Sequence, residues 1–115
     1  MLKILLVDDD STMVGLLKTL LTMEGYQVAT LMDKPGDLLE NIRLAKPDVV
    51  LIDIFLGDHN GLDIVRQIRQ LPDLDRIKIV MISGIDKADE SLTAGADAFL
   101  LKPYMPNELF DILRS

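Results

Sequence analysis

The chain has 115 residues, 49% hydrophobic and 27% charged, enough for one soluble domain with its own core. Its net charge of −7 excludes a basic nucleic-acid surface, since phosphate contacts need clustered lysine and arginine, and reads instead as a solubility feature. With no cysteine there is no disulfide framework, thiolate metal site or thiol nucleophile, and with 4% aromatic residues aliphatic side chains must fill the interior.

The run from Met1 to Val7 is too short for a signal peptide and lacks a cleavage pattern, and no apolar run approaches a membrane span, so the chain reads as cytoplasmic. Ile4-Leu5-Leu6-Val7 predicts a first buried strand that runs into Asp8-Asp9-Asp10. A helix follows, capped by Asp10 or Ser11, with Met13, Leu16, Leu17, Leu20 and Leu21 on its inner face and Gly25 at its end. Tyr26 to Leu31 is a second strand. Pro35 is expected at the first position of the next helix, whose buried stripe is Leu38, Leu39, Ile42 and Ala45, and Lys46-Pro47 stops it.

Val49-Val50-Leu51-Ile52-Asp53 is an unbroken apolar run ending in one carboxylate, the pattern of a strand buried on both faces. Residues Ile54 to Asn60 read as a loop, and Asn60 can cap a helix with Ile64, Val65, Ile68 and Leu71 inward, broken at Pro72-Asp73. Ile77 to Ile82 is a fourth strand ending at Ser83-Gly84, followed by a short helix from about Asp86 to Ala94. Ala98 to Leu101 is a fifth strand ending at Lys102-Pro103, and Pro106 opens a last helix with Leu109, Ile112 and Leu113. Strands alternating with helices across short connections predict a single-domain α/β fold. Its parallel sheet is doubly wound and flavodoxin-like, with order 2-1-3-4-5 and helices on both faces. Residues 1–115 form one domain, either a complete small protein or one excised from a longer chain.

Four strand ends are polar: Asp8, Asp9 and Asp10 after the first, Asp53 at the third, Ser83 at the fourth and Lys102 at the fifth. In a doubly wound sheet these ends share one surface, with the first and third strands adjacent. Carboxylates crowded there repel at roughly 4 kcal/mol per pair at 4 Å for an effective dielectric of about 20. A hard divalent cation would offset this, and oxygen ligands with room for waters suit Mg²⁺; Lys102 adds positive charge.

With Leu6-Val7-Asp8-Asp9-Asp10, Asp53 and Gly61, Ile82-Ser83-Gly84, and Gly95-Ala96-Asp97-Ala98-Phe99 leading to Lys102-Pro103-Tyr104, the chain resembles a response-regulator receiver domain of two-component signalling, of the chemotaxis-regulator type. The resemblance implies that Asp53 accepts a phosphoryl group from a sensor histidine kinase or phosphotransfer protein. It also implies that Asp8, Asp9, Asp53 and the backbone carbonyl of Phe55 hold Mg²⁺. Ser83 would hydrogen-bond the phosphoryl group, Lys102 would neutralise its charge, and Phe99 would switch rotamer as Ser83 moves. The Lys102-Pro103 bond would be cis. Output would pass to an unidentified partner or attached effector domain, without direct contact to nucleic acid or membrane, and no turnover of an external substrate is expected.

The sequence departs from that family in three places. Leu56-Gly57 and Asn60-Gly61 stand where Met-Pro and Asp-Gly are common, and Gly57 is expected to loosen the loop. Phe55 and Ile85, two residues beyond Asp53 and Ser83, occupy positions that tune hydrolysis of the acyl phosphate; both are bulky and apolar, which predicts slow loss of phosphate unless they merely pack. The stretch from Ser83 to Gly95 is shorter by about three residues, nearly one helical turn, on the usual output surface. Phe99 has an ordinary core role as its competing reading, and His59, the only histidine, reads as a solvent-facing loop residue. Alternative functions on the same residues are a degenerate receiver scaffold and a Mg²⁺-dependent phosphohydrolase. The latter lacks a second acid/base group, and a flavin or nucleotide module is disfavoured by the acidic first loop.

Overall fold

The structure, a computed structural model, describes residues 2–31 and 37–115. In chain order the elements are β1 (Lys3–Val7), α1 (Ser11–Met23), β2 (Gln27–Thr30), α2 (Leu38–Ala45), β3 (Val49–Asp53), β4 (Phe55–Leu56), β5 (His59–Asn60), α3 (Gly61–Gln70), β6 (Lys78–Ser83), α4 (Ala88–Ala94), β7 (Ala98–Leu101) and α5 (Pro106–Arg114). The main sheet is parallel throughout, in the order β2-β1-β3-β6-β7. This is the expected 2-1-3-4-5 arrangement of its five strands, in one α/β domain.

The period of two along each strand divides the core into two layers. Leu5, Val7, Val50, Ile52, Ile79 and Met81 face one side, where they meet Leu38 and Ile42 of α2 and Ile64, Val65 and Ile68 of α3. Ile4, Leu6, Val49, Leu51, Val80 and Ile82 face the other, against Leu17 and Leu21 of α1 and Leu109 and Leu113 of α5. Every residue of β3 is buried, as a central strand covered on both faces requires. Full burial of one such aliphatic side chain contributes about 1.5–3 kcal/mol, and an edge slip of one residue would exchange the two layers.

Helix boundaries follow local chemistry. Asp10, rather than Ser11, caps α1, its Oδ1 accepting from the Thr12 and Met13 amides at 3.1 and 3.2 Å. The inner stripe of α1 is narrower than the apolar pattern predicts: Leu17 and Leu21 are buried, but Leu16 is 54% exposed. The pattern could not show this, because α1 carries more apolar residues than one sheet face can cover. Asp37 caps α2 through the Leu39 amide, and Lys46 ends it in the left-handed conformation; the expected role of Pro35 lies outside the described residues. Asn60 caps α3 through the Leu62 amide at 2.8 Å.

One expectation is corrected. The stretch after β3 is not an open loop: Phe55–Leu56 pairs antiparallel with His59–Asn60. Gly57, at φ +58°, takes the first central place of the two-residue turn, where a positive φ is needed. The glycine therefore tightens the segment into a hairpin instead of loosening it. The helix before β7 is α4, seven residues long, beginning at Ala88 and not near Asp86.

Candidate functional site: an acidic cluster at the carboxyl edge of the sheet

Register alone brings the acidic residues together. Val7 pairs with Ile52, so one step further along the two strands Asp8 and Asp53 stand across from each other. Asp53 pairs with Ile82, and Ser83 with Leu101, which places Ser83 and Lys102 on the same rim. The Lys102 amide donates to the Ser83 carbonyl at 2.8 Å, and the Lys102–Pro103 bond is cis.

The centre of the site is an ion pair. Lys102 Nζ donates to Asp53 Oδ2 at 2.7 Å and lies 3.8 Å from Asp8 Oδ2. Asp53 Oδ1 accepts from the Phe55 amide at 3.0 Å, and Asp8 Oδ1 from the Asp10 amide at 2.9 Å. Asp8 and Asp53 are 7% and 8% exposed, so both carboxylates are nearly removed from water. Burial is the main cause that raises the Asp8 pKa above its ordinary value. The charges of Asp53 and Asp9 add to it, while the Asp10 amide and Lys102 oppose it. Burial also works against the charge of Lys102, but the hydrogen bond and charge of Asp53, with Asp8 and Asp10 behind it, outweigh that effect and leave the lysine pKa raised. One lysine therefore serves two buried acids, and Asp8 is left short of positive charge.

Asp9 is exposed; its Oδ2 lies 3.6 Å from where a Cβ on Gly57 would stand, so the hairpin turn passes beside it. Among the described residues no three acidic or imidazole side chains are drawn together into a ready metal cage. The donors that do face the cluster are hard oxygens, and Asp8 lacks compensation. That set fits a partly hydrated Mg²⁺ better than a softer metal.

The hairpin holds the end of β3 in place. The Gly61 amide donates to the Ile54 carbonyl at 2.7 Å, which makes 54/61 a hydrogen-bonded pair next to the Phe55/Asn60 pair. Antiparallel pairs alternate, so Phe55 and Asn60 form a non-bonded pair, and the Phe55 N–H is the one that Asp53 Oδ1 holds. Gly61 is indispensable to this arrangement: a Cβ there would stand 2.4 Å from the Asp53 carbonyl oxygen.

Ser83 is fully buried, and its Oγ accepts from the Ile85 amide at 3.1 Å. Phe99 is partly buried against the first core layer and pairs with Met81, two steps before Ser83, so Phe99, Met81 and Ser83 share one face of the sheet. Phe55 and Ile85 are 53% and 57% exposed, which removes the reading that they merely pack. His59 is exposed in β5.

Sequence reading missed two features. Arg69 of α3 donates through Nε to the Gly95 carbonyl, through Nη1 to the Asp75 and Ile77 carbonyls, and through Nη2 to Asp97, at 2.7–2.8 Å. Asp97 also accepts from the Ile79 amide. The signal was the left-handed Gly95 with Asp97 two residues on, but the arginine partner is 26 residues away in sequence. The second is Tyr104, whose buried hydroxyl has no hydrogen-bond partner among the described residues.

A parallel 2-1-3-4-5 sheet with paired aspartates, a strand-end aspartate and a lysine before a cis-proline defines the receiver class. The chain belongs to the response regulator receiver domain family, which matches residues 4–114. It is 31% identical to the chemotaxis protein CheY of Thermotoga maritima, over 96% of this chain and 93% of that protein. It is 36% identical to the response regulator PleD of Caulobacter vibrioides over 98% of this chain but only 25% of that longer protein. The BeF3-activated N-terminal receiver domain of Klebsiella pneumoniae RstA superimposes with a TM-score of 0.85 at 30% identity, covering 97% of this chain and 95% of that one. Receiver domains act in two-component signalling, typically as non-enzymatic switches. No helix among the described residues is long and apolar enough to cross a membrane.

Proposed function

We propose that this domain is a phosphorylation-driven switch in which Asp53 takes a phosphoryl group from the phosphohistidine of a cytoplasmic kinase or phosphotransfer protein. The observation that carries the reading is the buried Asp53 carboxylate, hydrogen-bonded by Lys102 at 2.7 Å and set beside an undercompensated Asp8. Among the described residues Asp53 Oδ1 is held by the Phe55 backbone, whereas Oδ2 is held by a lysine tip alone. Oδ2 is therefore the oxygen free to attack. As it forms the O–P bond, the P–N bond to the imidazole breaks and the electron pair leaves with the ring nitrogen. Lys102 then moves its hydrogen bond from the carboxylate to a phosphoryl oxygen, and Ser83 supplies a hydroxyl on the same rim.

Asp8, Asp9, Asp53 and the Phe55 carbonyl would hold Mg²⁺, which supplies charge neutralisation to the transferring oxygens. The charge shortfall at Asp8 supports that donor set. Ser83 and Phe99, on one sheet face, are the elements whose movement would carry the change to α4 and β7. Inverting a two-state population from 1:99 to 99:1 takes about 5.5 kcal/mol, which the new contacts to the phosphoryl group must supply. The BeF3 activation of the RstA domain is consistent with such a site.

The test is incubation with Mg²⁺ and acetyl phosphate, read by intact mass. One added phosphoryl group, absent in Asp53→Ala, is expected; no adduct with this donor or with a cognate kinase reduces the domain to a scaffold.

A further inference from the structure

The fourth helix is gripped at one end only. Among the described residues each of the other four helices buries at least two aliphatic side chains, whereas α4 buries Ser91 and Ala94 alone. Leu92, its one large apolar residue, is 53% exposed. Seven residues make no stable helix by themselves, so the contacts of α4 decide where it sits.

Those contacts are concentrated at its carboxyl end. Gly95, at φ +119°, closes the helix, and the Ala96 amide donates to the Ser91 carbonyl at 3.0 Å. Arg69 Nε holds the Gly95 carbonyl at 2.8 Å, and a Cβ on Gly95 would stand 2.6 Å from Arg69 Cγ, so the arginine stem lies against the cap. Asp97 accepts from Arg69 and from the Ile79 amide, and its own amide donates to the Ile79 carbonyl. This end is therefore tied to both α3 and β6.

The amino end has no such ties. Lys87 occupies the cap position without a side-chain bond to the helix, and the contacts there are an Asp86 hydrogen bond to the Ala88 amide and a Lys87–Glu90 pair at 3.4 Å. Both are at the surface and contribute little. Only residues 84–87 separate this end from Ser83 on the rim of the acidic cluster. Midway along the helix, Ser91 is wholly buried, yet its hydroxyl bonds to no group among the described residues. One turn on, Ala94 packs in the core layer that Phe99 lies against.

We propose that α4 is a lever hinged at Gly95. Arg69 and Asp97 keep its carboxyl end fixed, its amino-terminal turn swings with the 84–87 connection, and Ser91 sets how readily it does so. A serine at the centre of the buried face adds almost no apolar burial, and its unbonded hydroxyl raises the energy of the resting position. What drives the swing rests on the reading of Asp53 as phosphoacceptor; the one-ended anchoring does not.

Amide hydrogen exchange on the whole domain, resolved by NMR, tests the lever. In the wild type the amides at positions 91 and 92 should exchange about tenfold or more faster than those of Ala96 and Asp97, because the two ends open separately. Ser91→Ala, which removes the hydroxyl and little else, should slow positions 91 and 92 by about tenfold and leave Ala96 and Asp97 as they were. Equal wild-type rates from 91 to 97 would overturn the lever. So would slowing spread evenly over α4 and β6, since α4 would then open only with the domain, and unchanged rates at 91 and 92 would remove Ser91 from the device. With Mg²⁺ and acetyl phosphate, the phosphoryl adduct should alter amide shifts and exchange at 88–92 while 95–97 keep their resting values. An adduct that changes both ends alike, or neither, would overturn the hinge. If no adduct forms, the phosphoacceptor reading fails, and the exchange comparison of wild type with Ser91→Ala still decides the lever.

Discussion

The two ends of the sheet treat buried charge in opposite ways. At the amino edge, Arg69 spends four hydrogen bonds on three carbonyls and Asp97, and Asp97 also accepts from a strand amide. At the carboxyl edge, among the described residues, Asp8 and Asp53 share one lysine, and Asp8 is held above its ordinary pKa by burial. A saturated charge network locks elements in place, whereas an undersaturated one stores affinity for something that arrives. The same strands, β6 and β7, run from the first kind of edge to the second.

Removing the lysine should have the largest effect. Lys102→Met deletes the cation that, among the described residues, pairs with Asp53. Phosphorylation by acetyl phosphate should slow about 10²–10³-fold, the cost of one oriented donor to a developing anion. A rate within threefold of wild type would show that the carboxyl edge does not depend on this pair. The matching change at the other edge is Arg69→Ala, which frees the Gly95, Asp75 and Ile77 carbonyls and leaves Asp97 without its cation. Because Asp97 is half exposed, the loss is expected at about 2–3 kcal/mol of stability in denaturant unfolding. The phosphorylation rate of the folded fraction should be unchanged. A slowed rate in that variant would mean the two edges are coupled through β6 and β7.

The carboxyl edge was legible in the sequence because it is built from strand ends. Asp8, Asp53, Ser83 and Lys102 each follow a run of apolar residues, and parallel register alone brings such ends to one rim. The cluster at the amino edge was not, since the Arg69 partners are 6 to 28 positions away and nothing in the helix period marks that side chain. The hairpin was missed for a different reason: Gly57 reads equally as slack or as a turn, and only pairing of Phe55 with Asn60 decides between them. On α1 the apolar pattern overstated burial, leaving Leu16 in solvent.

A smaller effect tests the charge shortfall directly. The folded pKa of Asp8 is raised, so the folded state binds more protons than the unfolded one between the ordinary value of 3.8 and the raised value. Below 3.8 the penalty is absent; it grows as pH rises through that window and is complete above it. Asp8→Asn in the absence of Mg²⁺ should therefore stabilise the domain at neutral pH, on the order of 1 kcal/mol or ~4 °C in thermal midpoint. The gain should fade as pH is lowered through the window. A constant gain at all pH values would place the benefit in packing and not in charge.

The smallest expected effect concerns how long the edge keeps its phosphate. Phe55 and Ile85 flank Asp53 and Ser83 and are more than half exposed, so they hold no core together and can be changed at little cost in stability. Neither apolar side chain can orient a water for attack on the acyl phosphate, and under the proposed function both would exclude one. Phe55→Asn keeps the backbone amide that Asp53 holds while introducing a side-chain amide able to hold water. The phosphoryl adduct, followed by intact mass after removal of the donor, should decay about three- to tenfold faster, a change of roughly 1 kcal/mol in the barrier. Ile85→Ala should act in the same direction and more weakly, because it opens space without adding a polar group. An adduct lifetime unaltered by both changes would mean that the rim does not control water. Retention of phosphate would then have to come from the buried pair itself, with Lys102 holding the phosphoryl oxygens away from solvent.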